Sequence, residues 1–552
     1  AWHPQIVHDI HQMGSSGARF FIPPYIDPVE PNVDPLLVAG LNQLGTFMAW
    51  EMTRQGKTGV IVNAMYDAWT PGRAYQHYHG GVRILTETAS AQLATPVTVT
   101  FDSPARGGFD PRRPSWNFPR PWPGGEWRLA DVVDYQEAGA VALLTHAARN
   151  REAWLRSFLA VGERAVAGWP EWPEAWVIPA AQPNGAGVEE LLRILTTGAV
   201  EVRRATAPFR AEGRDFAAGD YVIVMRQPYA AFAQTLLEPQ RYPDLRLYPG
   251  GPPRRPYDVT AHTLPLLLGV EAIAVERLPA AGGPVLTEPL PVPPLLQVPV
   301  GPPAEFAAGR PRIGVYRSYA PSMDEGWTRW VLDRYGVAYA SLHDAEVRAG
   351  GLRDRFDVIV LPSQSPGRIR SGRLPGTVPP EYAGGLGEAG VAALDEFVRA
   401  GGTLVALEEA SRFAIEALGL PVRDMVAGLS AADFFIPGSI LRLDVERESR
   451  LAAGMPERTI AWFGDGSTAF EPTGAGVRVA ARYGTGNPLL SGWALGAERI
   501  AGAAALVEVE HGVGEVVLFG FRPQYRAQSM ATFPLLFNAM RLPAPEGERA
   551  GR

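Results

Sequence analysis

Three residues near the start of the chain carry side chains that together could activate a water molecule. His11 ends one predicted strand, QIVHDIH, and Glu87 ends another, VRILTET. Tyr66 lies between them in NAMYDAWTPG, a predicted loop with room to move. A histidine can hold a metal ion, a carboxylate can accept a proton from metal-bound water, and a tyrosine can contact a substrate. Each residue taken alone also has an ordinary structural explanation.

The surrounding elements predict how these residues are positioned. The sequence predicts strands over 5–11, 59–63 and 82–88, with a helix over 36–55 between the first two. This order is typical of an α/β fold, in which polar residues at the carboxyl ends of strands form the site. His11 and Glu87 both occupy such strand ends.

The order and spacing of His11, Tyr66 and Glu87 resemble the second half of the catalytic domain of carboxypeptidase A-type zinc carboxypeptidases. The DIHQMG and ILTETAS segments are similar to the third-ligand and general-base motifs of that family. The resemblance implies that His11 binds zinc, that Glu87 is the general base and that Tyr66 contacts a peptide substrate. It covers residues 1–100, and residues 101–278 resemble an extra region of large bacterial members.

The family's other two protein ligands come from an earlier HxxE motif, which positions 1–10 do not contain. The HxxE sequence from His343 to Glu346 lies in a later domain and is interpreted as a coincidence. The zinc hypothesis therefore needs an HxxE segment from a companion chain or an N-terminal fragment.

Other polar residues near Glu87 leave alternatives open. Arg73 and Arg83 flank its strand, and Arg83 is a candidate for binding a substrate carboxylate through a bidentate contact. On a strand, His77 and His79 would share one face and could bind a metal. Loop packing or hydrogen bonding near Glu87 explains these two histidines as well.

The fold class predicted for the whole chain is α/β, in four regions. Residues 1–130 are expected to form the C-terminal half of a zinc-carboxypeptidase-like domain with a mixed sheet, and residues 131–278 a helical and small α/β region. Residues 279–311 are rich in Pro and Gly and predict a semi-extended linker. Residues 312–545 predict a doubly wound, flavodoxin-like domain.

The last domain resembles the glutamine-amidotransferase-like fold. That family places a cysteine nucleophile at the turn after a central strand and a His-x-Glu motif late in the chain. Here the strand GTLVAL runs into EEAS, which begins at Glu408 and ends at Ser411, and Arg522 and Gln524 occupy the later positions. Because arginine cannot act as a general base near neutral pH, the domain is predicted to be non-catalytic.

Composition narrows the function further. The chain has 552 residues, no cysteine and a formal net charge of −7. The absence of cysteine excludes thiol catalysis and cysteine-ligated metals. The negative net charge differs from the basic character of nucleic-acid-binding proteins. No apolar run reaches the roughly 18 residues of a membrane span.

The function expected from the sequence is a zinc-dependent hydrolase that removes C-terminal residues from peptides. By resemblance to the large bacterial members it is expected to be secreted or periplasmic, and a homo-oligomer is left open. The alternative is a catalytically inactive binding or assembly protein built on degenerate peptidase and amidotransferase scaffolds.

Overall fold

The computed structural model describes residues 2–101, 109–280, 282–292 and 311–541. Within these ranges the chain has a mixed α/β fold with several separate sheets. No helix among the described residues is long and apolar enough to cross a membrane.

The N-terminal region contains a four-stranded sheet, a long helix packed against it and two short two-stranded sheets. Its elements are β1 (Ile6–Met13), β2 (Phe20–Phe21), β3 (Ile26–Val29), α1 (Pro35–Arg54), β4 (Val60–Ile61), β5 (Asp67–Ala68), β6 (Val82–Ala89), β7 (Val97–Val99) and β8 (Gly125–Trp127). The sheet order is β1–β6–β2–β4, and β1 runs parallel to β6. Helix α1 begins where the Asp34 carboxylate accepts from the Leu36 N–H, with Pro35 at its first position.

The middle region adds a helical pair and a small antiparallel sheet. Its elements are α2 (Leu129–Arg149), α3 (Arg151–Ala167), β9 (Ala175–Ile178), α4 (Gly185–Thr197), β10 (Arg203–Arg204), β11 (Phe209–Ala211), β12 (Arg214–Phe216), β13 (Tyr221–Val224), α5 (Ala230–Leu237), α6 (Leu264–Leu268) and β14 (Ile273–Val275). The sheet order is β10–β13–β9–β14. Helix α2 packs on α1 and β6, which joins this region to the N-terminal sheet.

The predicted linker over 279–311 falls partly outside the described residues, which omit 281 and 293–310. Its described part is not a free spacer. The Thr206 N–H donates to the Val285 carbonyl at 2.7 Å, and the Leu290 N–H donates to the Val202 carbonyl at 2.7 Å. Residues 285–290 therefore pair beside β10. Pro289 is compatible with this pairing because it lies at the edge of the sheet.

The C-terminal region is built on one large sheet. Its elements are β15 (Ile313–Tyr316), α7 (Met323–Arg334), β16 (Ala340–Leu342), α8 (Asp344–Arg348), α9 (Leu352–Arg355), β17 (Val358–Leu361), α10 (Pro366–Ser371), α11 (Gly387–Arg399), β18 (Thr403–Leu407), α12 (Glu409–Leu418), β19 (Val422–Asp424), β20 (Ser439–Val445), β21 (Arg458–Phe463), β22 (Phe470–Pro472), β23 (Val477–Tyr483), β24 (Leu489–Ser491), β25 (Ala504–His511), β26 (Gly514–Phe519) and α13 (Phe533–Ala539). Its main path is β16–β15–β17–β18–β26–β25–β23–β20–β21.

The first five strands of that path run parallel and the others antiparallel. Strands β15, β17 and β18 are buried along their whole length, as expected for parallel strands covered on both faces. The antiparallel extension through β20, β21 and β23 was not predicted from the sequence.

Candidate functional site

The parallel pairing of β1 and β6 brings His11 and Glu87 together. The expectation that both residues end their strands was wrong, because the pairing continues for two more residues, to Met13 and Ala89. The register places His11 opposite Glu87 and Asp9 opposite Leu85. Side chains alternate between the faces of a sheet, so Asp9, His11, Arg83 and Glu87 project from one face. We call these four side chains the β1/β6 face.

The opposite face of the same strands has different contacts. His8 lies three positions before His11 on β1, so its side chain projects from the opposite face of the sheet. Its Nε2 is 3.0 Å from the Thr86 Oγ1. Burial lowers the pKa of His8, and the charge of Asp9 offsets part of that change. His8 therefore does not reach the β1/β6 face and serves as an internal comparison for His11.

Asp9 connects the charged groups of the β1/β6 face. Its Oδ2 accepts from the Arg83 Nε at 2.7 Å, and its Oδ1 is 3.1 Å from the His11 Nε2. Burial alone would raise the pKa of Asp9, but the hydrogen bond and charge of Arg83, together with His11, hold it below its usual value. Asp9 was not predicted as a site residue from the sequence, although strand alternation places it two residues before His11 on the same face.

The Asp9 contact leaves the second ring nitrogen of His11 available. The His11 side chain is 42% exposed, and its paired nitrogen is Nε2. Metal-binding histidines usually pair their other ring nitrogen with a carboxylate or carbonyl, which fixes the orientation of the ring. The contact between the His11 Nε2 and Asp9 is of this kind, and none of the described residues forms a hydrogen bond with the His11 Nδ1.

Glu87 is a largely buried carboxyl group on the same face. Only 8% of the residue is exposed, and its Oε1 accepts from the Tyr257 hydroxyl at 3.4 Å. Burial raises its pKa, while His11, the Tyr257 hydrogen bond and Arg83 partly offset the rise. A raised pKa brings a carboxylate closer to the range in which general bases work best. Tyr257 lies 170 positions after Glu87, so no local pattern could have revealed it.

Tyr66 is not on an exposed mobile loop, which corrects the sequence-based expectation. Its ring is 1% exposed and lies edge-to-face with Tyr25 and Tyr257, at centroid distances of 4.7 and 4.8 Å. The Arg83 guanidinium lies 5.3 Å from the same ring. These neighbours enclose Tyr66 beneath the β1/β6 face, so its predicted contact with substrate would require the aromatic packing to open.

Arg83 is also buried, with a side chain only 6% exposed. Its guanidinium is committed to Asp9 through Nε at 2.7 Å and Nη2 at 2.5 Å. Arg83 therefore fixes the carboxylate that holds His11, and a substrate carboxylate would have to compete with Asp9 for it. Its predicted substrate contact stays a prediction.

The described residues do not complete a zinc site. No group of three or more His, Asp or Glu side chains within them is placed to hold a metal ion. A protein zinc site normally takes three or four protein ligands, and within the part of the chain that the structure describes His11 belongs to no such group.

The other histidine candidates have structural roles or different surroundings. His77 lies in a short helical turn over Tyr75–Tyr78 rather than on a strand, and both nitrogens of His79 contact carbonyls, of Tyr75 at 3.0 Å and Gly198 at 2.8 Å. In the HxxE sequence, the Glu346 carboxylate accepts from the His343 backbone N–H at 3.0 Å. That contact is a helix cap at the start of α8.

In the C-terminal region, Glu408 occupies the strand-to-helix turn where the resemblance would place a nucleophile. It is completely buried and has φ +50° and ψ −112°. Its carboxylate accepts from the Ser363 and Ser467 hydroxyls, both at 2.7 Å, and from the Arg522 Nε at 2.5 Å. We call these four residues the Glu408 cluster.

The side chains of Ser411 and Gln524, in the same region, also form hydrogen bonds within the protein. The Ser411 hydroxyl contacts the Ala406 and Phe519 carbonyls at 3.0 and 2.9 Å, and Gln524 donates to Asp324 at 3.0 Å. The carboxylate at the turn thus forms an ion pair, and Ser411 has no base beside it among these contacts.

Comparison with known proteins gives little beyond this geometry. No protein-family model matches the chain, and no curated protein sequence matches it. Among solved structures, a cytoplasmic protein from Salmonella typhimurium is 13% identical, with 42% of this chain and 97% of that chain covered and a TM-score of 0.28. A putative ThuA-like protein from Bacteroides uniformis is 12% identical, with 45% and 94% covered and a TM-score of 0.26.

A β-galactosidase from Bacillus circulans sp. alkalophilus is 11% identical, with 41% of this chain and 30% of that chain covered and a TM-score of 0.26. Likenesses of this strength carry no argument about function.

Proposed function

We propose that the β1/β6 face belongs to a metallocarboxypeptidase-like hydrolase that removes C-terminal residues from peptides. The observation that carries the proposal is the pairing of His11 with Glu87 at one register position of two parallel strands. This places a ligand-type imidazole and a base-type carboxylate side by side, as the resemblance to zinc carboxypeptidases requires. The N-terminal region is then the second half of such a catalytic domain.

Each residue of the face has a role in this proposal. Glu87 accepts a proton from the attacking water, and burial keeps its pKa above that of an ordinary glutamate. Tyr257 donates to Glu87 and orients the carboxylate. Asp9 holds His11 through Nε2 and is itself held by Arg83.

Zinc would polarise the substrate carbonyl and its bound water if its ligand set were completed. Because the described residues lack that set, the remaining ligands are proposed to come from an HxxE segment on an N-terminal fragment or a companion chain. Within the described residues β1 is an edge strand, and Ile10 on it is 55% exposed. Such an edge can accept a further strand. A secreted or periplasmic location is part of the same proposal.

Peptide hydrolysis by the full-length gene product tests this function. An N-acylated dipeptide with a free C-terminus, supplied with zinc, should lose its last residue, and Glu87→Gln should lower kcat/KM by roughly 100-fold or more. Glu137→Gln is the matched control, because Glu137 lies on an exposed position of α2. Equal rates for the two variants, or no hydrolysis by the unmodified protein, would contradict the proposal.

The second candidate is a catalytically inactive binding or assembly protein. The Glu408 cluster favours it, because a carboxylate bound to Arg522 and two serine hydroxyls occupies the turn where an amidotransferase-like domain would carry its nucleophile. On this hypothesis the C-terminal region binds a partner or stabilises the rest of the protein. A protein that neither hydrolyses peptides nor binds zinc would support it.

A further inference from the structure

Helix α3 carries two apolar stripes, and its own chain covers only one of them. The inner stripe packs on the rest of the chain and consists of Trp154, Phe158, Val161 and Ala165. A Cβ added at Gly40 of α1 would lie 3.1 Å from the Trp154 ring, and one added at Gly80 would lie 2.8 Å from the Phe158 ring. These contacts account for one face of the helix.

The outer stripe lies one position further along the helix and consists of Leu155, Leu159, Gly162 and Val166. Its three larger side chains are 57%, 59% and 48% exposed, in chain order. Apart from the neighbouring backbone of α3, no atom of the described residues lies within 4 Å of the place that a Cβ of Gly162 would take. A surface helix normally has one apolar stripe opposite a polar face, so a second, uncovered stripe indicates contact with another molecule.

The spacing of the outer stripe reads the same in both directions. Its successive members are four, three and four residues apart, which is the spacing of the contact positions in paired helices. An antiparallel α3 from a second copy therefore places Leu155 opposite Val166 and Leu159 opposite Gly162. The large Leu159 side chain then meets the position that has no side chain, so the two helices can approach closely.

Two charged residues beside the outer stripe complement each other in the same arrangement. Arg156 and Glu163 are exposed, and each follows a stripe residue by one position, so both flank the same side of the stripe. The two-fold axis of an antiparallel pair brings Arg156 of each copy beside Glu163 of the other. Arg156 already donates to Glu152 of its own helix, through Nε at 3.0 Å and Nη2 at 2.7 Å. Its other N–H groups remain available for a second carboxylate.

We propose that α3 forms an antiparallel contact with α3 of a second copy of this chain, which gives a symmetric dimer. The same stripe then serves both copies, as a two-fold interface requires. Helix α3 has 17 residues and is about 25 Å long, so the contact is smaller than a standard interface and the dimer is weak and concentration-dependent. The dimer is separate from the proposed peptidase function and does not depend on it.

Sedimentation velocity of the unmodified protein at roughly 1–200 μM tests the contact. The sedimentation coefficient should rise from the monomer value toward the dimer value across this range. Leu159→Glu places a charge at the centre of the stripe and should raise the dissociation constant at least about tenfold. Because Leu159 is largely exposed within one chain, this variant should stay folded, and circular dichroism checks that it does.

Charge reversal tests the antiparallel pairing itself. Arg156→Glu and Glu163→Arg each place like charges together, so each should raise the dissociation constant about tenfold. The variant with both reversals restores opposite charges and should return to within about threefold of the unmodified protein. Glu416→Arg is the matched control, because it makes the same charge change at an exposed position of α12 and should leave the dissociation constant unchanged.

A protein that stays monomeric at every concentration would overturn the proposal. A dimer that Leu159→Glu leaves intact would also overturn it, as would a double charge reversal no tighter than the single ones. Co-sedimentation with phosphatidylglycerol vesicles examines the other occupant of an apolar helix face, a lipid surface. Vesicle binding that Leu159→Glu abolishes, by a protein that remains monomeric, would replace the second copy with lipid. Peptide hydrolysis is not a readout here, so failure of either proposal is recognised separately.

Discussion

At the scale of single residues, Glu30 is a carboxyl group whose protonation is coupled to folding. It is 1% exposed, and the Asn32 Nδ2 bridges it to Glu238, at 2.8 Å from the Glu30 Oε1 and 2.6 Å from the Glu238 Oε1. Burial, and then the neighbouring charge of Glu238, raises the pKa of Glu30 to about 8.

The unfolding free energy should consequently fall as the pH rises. A glutamate in the unfolded chain has a pKa of about 4.3, so between that value and about 8 the folded state binds the Glu30 proton more tightly. The stability from this group is complete below about pH 4 and is lost as the pH passes through 8. Urea unfolding should show that the unfolding free energy of the unmodified protein falls between pH 5 and 9. In Glu30→Gln this fall should be smaller by roughly 3–5 kcal/mol.

Glu137→Gln is the control for this measurement, since Glu137 is exposed and should leave the pH dependence unchanged. If the unfolding free energies of Glu30→Gln and the unmodified protein fall in parallel, Glu30 is not the coupled group.

The residue scale also shows what could be read from the sequence. The apolar alternation predicted that His11 and Glu87 lie on strands, although each lies two residues before its strand ends. The same alternation would also have pointed to Asp9. The burial of Tyr66 and the contact between Tyr257 and Glu87 were not predictable, because they depend on chain segments that meet only after folding.

At the scale of elements, the turn between β18 and α12 depends on the Glu408 cluster. Glu408 has a positive φ of 50°, a backbone conformation that is unfavourable for residues other than glycine. Three donors from separate elements hold its carboxylate in place. The cluster therefore joins the carboxyl ends of the parallel strands to the loop that contains Ser467.

Removal of this carboxylate should destabilise the protein strongly. Glu408→Ala leaves Arg522 without its closest carboxylate, so the unfolding free energy in urea should fall by about 3–5 kcal/mol. Glu416→Ala is the control. Glu416 is exposed on α12, the helix that follows Glu408, so this substitution should change the unfolding free energy by no more than about 0.5 kcal/mol. Similar unfolding midpoints for the two variants would show that the cluster does not stabilise the turn.

Elements with strong local patterns were predicted well. The parallel strands β15, β17 and β18 are short apolar runs, and α11 is strongly amphipathic, so each is visible in the sequence. The antiparallel strands β20 and β23 carry charged residues on their exposed face and pair across long, glycine-containing connections. Their pairing depends on tertiary contacts rather than on a local pattern.

At the scale of the whole molecule, the segment that follows α5 joins the N-terminal and C-terminal regions. Asp258 on it accepts from the Arg73 Nε at 2.9 Å and the Arg526 Nη2 at 2.6 Å. Nearby, the ring of Tyr242 packs between Trp69 and Trp493, at centroid distances of 4.8 and 5.8 Å. The two regions therefore pack against each other through these contacts.

The same segment carries Tyr257 to Glu87. The C-terminal region therefore contributes to the candidate site indirectly, because its Arg526 and Trp493 help to fix the segment that presents the Tyr257 hydroxyl. In the proposed hydrolase, this arrangement gives the C-terminal region a positioning role.

The central claim is that His11 is a zinc ligand beside Glu87, and zinc analysis of the full-length gene product tests it most directly. We expect about one zinc per molecule, lost in His11→Ala and retained in His8→Ala, because His8 lies on the opposite face of β1. Zinc well below one per molecule in the unmodified protein, or equal zinc in both variants, would contradict the account.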